Sequence, residues 1–461
     1  MEFIHYVKNE LLIDLSRQLQ FARLSGDFNP LHVDSTSSRR SQFGNAVVHG
    51  IHLLMFVFEK LDISEHVCIT ELKVDFHSAV RIGEPFYFLS SQEYKAWSIR
   101  VFAGARLCAV IQVQFDESKI GLGVPFANHP SLAPLCITDY SELQQCQGVE
   151  NGGFDSVKCQ QLFPNLFFYI SHRDIDFLLT ITRIIGMRCP GEFALFRGFS
   201  WKCSEASTNQ QVRYYVDAID QRFRLLKIMI RSSFAHVATE VILRKPPITQ
   251  SPYLEIQNVV KTNEFRGIRA LVIGGSRGLG ELTVKALAAG SAEVVFTYLH
   301  GSDDAQSLVE LTGPNVRTLQ FDMMASEPEL LAQFEPSHLF YFATPHIEKQ
   351  PLNSWDEVLY ERFFEIYVVK FRNLLNAVKL KGVFFPSSTF VSTNEIGFSE
   401  YVRAKVAGEV LCNEWQKSHP DTNIVFGRLP PLVTDQTSIR LGDDTSKNLI
   451  DLLPWIRKVA T

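Results

Sequence analysis

The sequence is poor in the features that mark several common function classes. Its eight cysteines, at 68, 108, 136, 146, 159, 189, 203 and 412, form no CxxC pair, and none stands near a histidine at zinc-finger spacing. That argues against a structural metal site or a disulfide framework, and reads as reduced, mostly buried thiols. No basic block occurs: 45 Lys+Arg stand against 50 Asp+Glu, a net charge of −5. The concentrated cationic surface that nucleic acid requires is therefore missing. Apolar runs such as "LLMFVF" at 53–58 are far too short to span a bilayer. The first ten residues, MEFIHYVKNE, carry an acid and no apolar core, so they do not read as a signal peptide. A soluble cytoplasmic protein is expected, with no metal and with neither nucleic acid nor membrane as partner.

What is present is ordinary globular material. With 461 residues, 46% hydrophobic and 21% charged, the chain is too long for one core. Its clearest boundary is the proline-bearing stretch 247–264, which reads as a linker. Beyond it "IRALVIGG" is a buried β-branched strand, and strand and helix patterns alternate through 265–461, the sign of a parallel α/β domain. Before the linker an apolar helix, "VVHGIHLLMFVFEKL" (47–61), is followed by four strand-like stretches. After a polar interval the same order returns with "DIDFLLTITRIIGM" (174–187). Two copies of one α+β unit are expected, at 1–118 and 119–246.

One stretch near the start, "FARLSGDFNPLHVD" (21–34), sets Asp27 and His32 five residues apart with Pro30 fixing the backbone between them. Downstream lie "FGNAVVHGIHLL" (43–54) and "FHSAVRIGEPF" (76–86). In this order the three segments resemble the MaoC-like (R)-specific enoyl-CoA hydratases and dehydratases, over about the first 115 residues. The resemblance implies a hot-dog fold, extended by the second copy to a double hot dog. It also implies an acyl-thioester substrate, carried on CoA or acyl carrier protein. Asp27 and His32 would be the acid/base pair, with Asn29 holding their geometry. Gly50 opens the apolar helix, and its N–H is the candidate donor to a thioester oxyanion. His49 and His52, on or beside that helix, are expected to be structural, and Asp174 and Asp176 to be a helix-start pair. The second copy lacks the Asp/His motif and looks like the half that shapes an acyl tunnel.

A second motif opens the C-terminal domain. "LVIGGSRGLGELTVKAL" (271–287) is a strand, a glycine-rich turn and a helix. Some 120 residues later "FPSSTFVSTNEIGFSEYVRAK" holds Ser388, Tyr401 and Lys405, and Tyr-x-x-x-Lys puts two side chains on one helical face. A nearby ammonium lowers a phenol's pKa, and Ser388 can hydrogen-bond a substrate carbonyl. This arrangement resembles the short-chain dehydrogenase/reductases from residue 267 to about 435, which implies a Rossmann-like domain. Cofactor contacts would come from Gly274, Ser276, Arg277, Gly278, Leu279 and Gly280, with Asp322 at the adenine and Ala343 beside the ring. The helical asparagine of the family's proton relay is replaced by Tyr367. The second strand, "EVVFTYLHG", ends without an acid and Arg277 sits in the glycine loop, so NADP(H) is the expected cofactor.

Two such modules on one chain imply one shared intermediate. The main expectation is a fused 3-ketoacyl-thioester reductase and (R)-3-hydroxyacyl-thioester dehydratase in acyl-chain or polyketide-like biosynthesis, assembled as a homodimer. Reverse flux, hydration followed by oxidation, is the alternative within enzymes. In another class of reading one module is a binding or dimerisation scaffold.

Overall fold

The computed structural model describes residues 3–63, 65–117, 134–136, 141–204, 211–347, 349–352, 354–437 and 441–460. They fall into two compact units: residues 1–39 with 45–246, and residues 40–44 with 247–461.

The first unit is built on one ten-stranded antiparallel sheet. Its strands are β1 (Phe3–Leu11), β2 (Val67–Phe76), β3 (Phe86–Glu93), β4 (Ala96–Ala103), β5 (Arg106–Glu117), β6 (Gln147–Asn151), β7 (Ala194–Cys203), β8 (Gln211–Asp220), β9 (Leu225–Arg231) and β10 (Ala235–Leu243). Their order is β1-β3-β4-β5-β2-β7-β10-β9-β8-β6. Adding five to each strand number of the first half and reversing the list gives the second half, so one topology occurs twice. The halves meet where β2 runs antiparallel to β7, from Glu71 opposite Lys202 to Asp75 opposite Gly198.

Strand burial alternates as a one-sided sheet requires: in β10 every second residue from Ala235 is buried. Each half lays one helix against the covered face. Helix α1 (Gly50–Glu59) is buried from Ile51 to Glu59, and helix α2 (His172–Arg183) is buried at every position but Arg173. Residues of both helices and of the inward strand faces form one continuous hydrophobic core. A π-helical turn, Ile184–Arg188, extends α2.

The second unit holds a six-stranded parallel sheet: β11 (Arg269–Ile273), β12 (Glu293–Tyr298), β13 (Val316–Gln320), β14 (His338–Tyr341), β15 (Gly382–Ser388) and β16 (Asn423–Leu429). The order is β13-β12-β11-β14-β15-β16, so the strand order reverses beside β11, the place where such sheets open a crevice at the strands' C-terminal ends. Alternate residues of β11 feed two separate cores. Ala270 and Val272 join one, Leu271 and Ile273 the other, as expected of a sheet covered on both faces. The helices that matter for the site are α3 (Gly278–Ala289), α4 (Ser302–Thr312) and α5 (Ser399–Ser418).

The stretch 247–264 differs from the linker expected of it. Residues Tyr253–Val259 are helical and Ile256 is fully buried in the second unit's core. Gln250 donates to Val433 O at 3.1 Å, and the Ile248 N–H donates to Asp435 at 2.7 Å. The prolines are real, but the apolar residues between them have a core to enter.

One buried ion pair ties the first unit together. Arg183, 1% exposed, closes α2 with its Nε 3.1 Å from Glu150 Oε1. It also donates to Ser25 O at 2.7 Å and to Asn151 O at 3.0 Å. Arg183→Met strands two carbonyls and leaves Glu150 to Arg188 alone, and is expected to destabilise this unit by about 1–3 kcal/mol. Urea unfolding would register it; an unchanged midpoint would show that the pair carries no stability.

Candidate active sites

Asp27 lies two residues past the helix Leu15–Ser25, which Gly26 ends at φ +75° in the left-handed region. The turn turns the Asp27 side chain inward, where it is 2% exposed. Its Oδ1 accepts the Asn29 N–H at 3.1 Å and its Oδ2 the Thr182 hydroxyl at 2.6 Å. Asn29 caps the short helix that begins at Pro30. Its amide nitrogen reaches Gly186 O and Gly191 O, both at 3.0 Å. A Cβ on Gly186 would overlap the Asp27 carboxylate. The second half is therefore the wall and the clamp of the Asp27–Asn29 stretch.

His32 donates from Nδ1 to Val47 O at 2.8 Å. That fixes the proton on Nδ1 and leaves Nε2 as a bare acceptor. Its ring stacks on His49, with centroids 3.9 Å apart. His49 Nε2 is 3.1 Å from Asp27 O and 3.6 Å from Asp27 Oδ2. Gln18 bridges the two neighbouring histidines, its amide nitrogen 2.7 Å from His49 Nδ1 and its oxygen 2.7 Å from His52 Nδ1. His52 is a core residue stacked on Phe21. His49, expected to be structural, is in the carboxylate's immediate surroundings. Gly50 stands at the first position of α1, where a helix has free N–H groups.

Burial alone would raise the Asp27 carboxyl, but the His49 and His32 rings and the Thr182 hydroxyl outweigh it and hold the value below the ordinary one. Burial and the His49 ring push His32 down to about 3. At neutral pH the pair is a carboxylate beside a neutral imidazole. Asp174 and Asp176 instead accept backbone N–H groups of Ile69 and Gly153, and burial lifts Asp174 to about 6.

In the second unit the glycine turn follows β11. Gly274 has φ +76° and Gly278 φ +58°, values that favour glycine. A Cβ on Gly280 would overlap Gly274 O, so this glycine permits close helix–turn packing. Gly278 has only Thr434, in the loop after β16, near its Cβ position. The turn and the N-terminus of α3 can hold a pyrophosphate. Ser276 is buried in the turn and Leu279 packs on the core behind it. Asp322, after β13, accepts the Met324 N–H at 2.8 Å, and Ala343 follows β14 against the other core.

Ser388 ends β15, and Tyr401 and Lys405 lie one turn apart on α5. Burial lifts the Tyr401 phenol to about 12 against the opposing pull of the Ser388 hydroxyl. The expectation that the ammonium lowers the phenol is not met. Lys405 Nζ donates to Pro386 O at 2.7 Å and stands 3.7 Å over the Tyr367 ring, with the Tyr401 ring farther off at 5.8 Å. Burial pushes Lys405 itself down to about 7. Tyr367 lies in a π-helical turn, its hydroxyl 2.5 Å from Thr344 Oγ1. Arg277 caps α3 with its Nη1 3.5 Å from Asp435 Oδ2.

Thr182, Gly186, His49 and Asp435 gave no advance sign of a place in these sites. Three of them meet their partners across at least 155 residues, and His49 was hidden by the apolar helix it precedes. Among the described residues no group of three or more His, Cys, Asp or Glu could hold a metal, and no helix is long and apolar enough to cross a membrane.

Residues 7–96 match the family model of the MaoC like domain, so this stretch carries a MaoC-like domain. No curated protein matches the chain. Among solved structures, the short-chain dehydrogenase of Shigella flexneri is 16% identical with a TM-score of 0.38, covering 43% of this chain and 88% of its own. The short-chain dehydrogenase of Salmonella enterica serovar Typhi CT18 is also 16% identical at 0.38, covering 43% and 92%. A protein of Escherichia coli CFT073, provisionally named a short-chain dehydrogenase and solved with NADPH, is 17% identical at 0.37, covering 43% and 93%.

The depressed His32 value has a consequence for stability. Between about 3 and the unfolded value near 6.5, the unfolded chain binds a proton that the folded one refuses. Stability then rises with pH across that window and falls on acidification. Replacing His32 by Gln is expected to flatten this slope in urea midpoints taken from pH 4 to 7. A slope identical to that of the unmodified protein would refute the neutral state of His32.

Proposed function

We propose that the chain is a two-site acyl-thioester enzyme. The first unit acts as an (R)-3-hydroxyacyl-thioester dehydratase and the second as a 3-ketoacyl-thioester reductase, in acyl-chain or polyketide-like biosynthesis. In this reading 1–118 and 119–246 are the halves of a double hot dog and 265–461 is a Rossmann-like short-chain dehydrogenase/reductase domain. The substrate is carried on CoA or acyl carrier protein, and a cytoplasmic homodimer is part of the proposal. One observation carries it: Asp27 and Asn29 are held against Thr182 and Gly186 of the second half, within the MaoC-like stretch that also holds His32. The repeated strand order of the first sheet and the order of the second support the two folds.

Dehydration takes a proton from Cα and returns one to the departing hydroxyl, so no net proton enters the site. Asp27, ionised, takes the Cα proton, and the bare Nε2 of His32 holds the hydroxyl. The proton then leaves with the oxygen as water. Charge that builds on the thioester oxygen is met by the N–H of Gly50 at the start of α1. Asn29 and Thr182 fix the carboxylate, and His49 holds the backbone beneath it.

The residues of the second site fit a nicotinamide dinucleotide, because the turn's Gly274 and Gly278 adopt positive φ and the nearest atom to a Cβ on Gly278 would be Thr434 Cγ2 at 3.6 Å. NADP(H) when bound supplies the hydride. Ser388 holds the ketone oxygen and Tyr401 gives it a proton. A phenol at about 12 stays protonated at neutral pH, the form a donor needs. Lys405, at about 7, trades protons readily there. Arg277 is the residue assigned to a 2′-phosphate.

Asp27→Asn keeps the shape and removes the proton acceptor. Dehydration of a supplied 3-hydroxyacyl thioester is expected to fall by about 10²-fold or more, while NADPH oxidation with a 3-ketoacyl thioester continues and hydroxyacyl product accumulates. Enoyl product formed at the unmodified rate would reduce the motif to a capped turn.

Tyr401→Phe is expected to have the mirror effect. Reduction should drop by roughly 10²–10⁴-fold with dehydration unchanged, followed by absorbance of NADPH and of the enoyl thioester. Normal reduction would remove Tyr401 from its role.

A further inference from the structure

Gln18 lies on the inward side of the helix Leu15–Ser25 and is 0% exposed. A carboxamide taken out of water is costly unless both of its ends find partners, and here both do. Its nitrogen is 2.7 Å from His49 Nδ1 and also faces Val47 O at 3.4 Å and His32 O at 3.5 Å. Its oxygen is 2.7 Å from His52 Nδ1. Turning the amide over would set its oxygen against those two carbonyls. It would also force the His52 hydrogen onto Nε2, a buried atom with no hydrogen-bond partner among the described residues, where an N–H would stand unpaired.

With the amide fixed, the histidine hydrogens follow. The Gln18 oxygen can only accept, so His52 carries its hydrogen on Nδ1. The Gln18 nitrogen can only donate, so His49 Nδ1 is the acceptor and the His49 hydrogen is on Nε2. Nε2 is the atom that stands 3.1 Å from Asp27 O and 3.6 Å from Asp27 Oδ2. A bare nitrogen there would turn its lone pair on both oxygens, whereas an N–H favours the ionised carboxylate. Two neighbouring histidines thus hold opposite tautomers, and the amide between them is the cause.

We infer that Gln18 is a positioning residue of the first site: it holds His49 by Nδ1 and so directs the Nε2–H at Asp27. The inference rests on the proposed acid/base role of Asp27 and adds to it a residue that no motif marks.

The test uses the full-length protein. Nitrogen NMR of histidine-labelled protein at neutral pH, with signals assigned by their loss in His49→Gln and His52→Gln, is expected to show hydrogen on Nε2 alone for His49 and on Nδ1 alone for His52. A hydrogen on His49 Nδ1 overturns the inference, and this measurement decides the point even where a Gln18 variant does not fold. Gln18→Met keeps the volume and removes the amide. Its kcat for dehydration of a 3-hydroxyacyl thioester is expected to fall by about tenfold, the worth of one hydrogen bond, with KM changed by no more than about twofold. In His49→Gln, where no second ring nitrogen remains to be held, Gln18→Met should cost little more. An equal loss in both backgrounds overturns the inference, because Gln18 would then act through packing or through Val47 O, the acceptor of the His32 hydrogen. So does an unchanged kcat in Gln18→Met. If Asp27→Asn stops dehydration and Gln18→Met does not slow it, the Asp27 reading stands and only the Gln18 inference falls. Enoyl product formed by Asp27→Asn at the unmodified rate overturns both.

Discussion

A carboxylate that stays ionised at 2% exposure is the constraint around which the first unit is arranged. Burial penalises such a charge heavily, and the penalty is met only by groups aimed at it from several directions. One of them, Thr182, comes from the second half of the duplicated sheet, where Gly186 leaves the carboxylate its space. The Asn29 amide, which reaches two carbonyls of that half, locks the loop in place. The duplication is therefore more than an enlargement of the sheet. One copy carries Asp27 and His32, and the other supplies part of the environment of Asp27.

The same force acts in the second unit with a different outcome. Lys405 is also taken out of water, but its contacts are a backbone carbonyl and an aromatic face, with Glu409 only a minor help. Glu409 is itself engaged by Arg428 and Ser387. Desolvation wins at Lys405 and loses at Asp27. The difference lies in how many polar partners converge, and no motif records that number.

Much of the architecture was legible in the chain because its signals are local. Alternating burial along the strands, the two apolar helices and the glycine turn each lie within a few residues of sequence. The candidate residues Asp27, Asn29 and His32 fall together, as do Ser388, Tyr401 and Lys405. What escaped depends on distance along the chain. The direction of Lys405 Nζ is decided by Pro386 O, nineteen residues away, and not by its spacing from Tyr401. His49 looked like the edge of an apolar helix, and only the folded loop brings Asp27 to it. Pro246, Pro247 and Pro252 suggested a free spacer, while the burial of Ile256 depends on a core assembled from other segments.

Gly186 sits in the π-helical turn with no side chain, because the space where one would go belongs to the Asp27 carboxylate. The bond between these two positions is an exclusion, and exclusions leave a trace in descent. A lineage that discards the carboxylate frees position 186 to accept alanine or serine, and frees Thr182 from donating. A lineage that retains it holds both fixed, 155 residues downstream of Asp27 in the case of Thr182. The glycine is thus a marker for the acid: kin that vary one are free to vary the other.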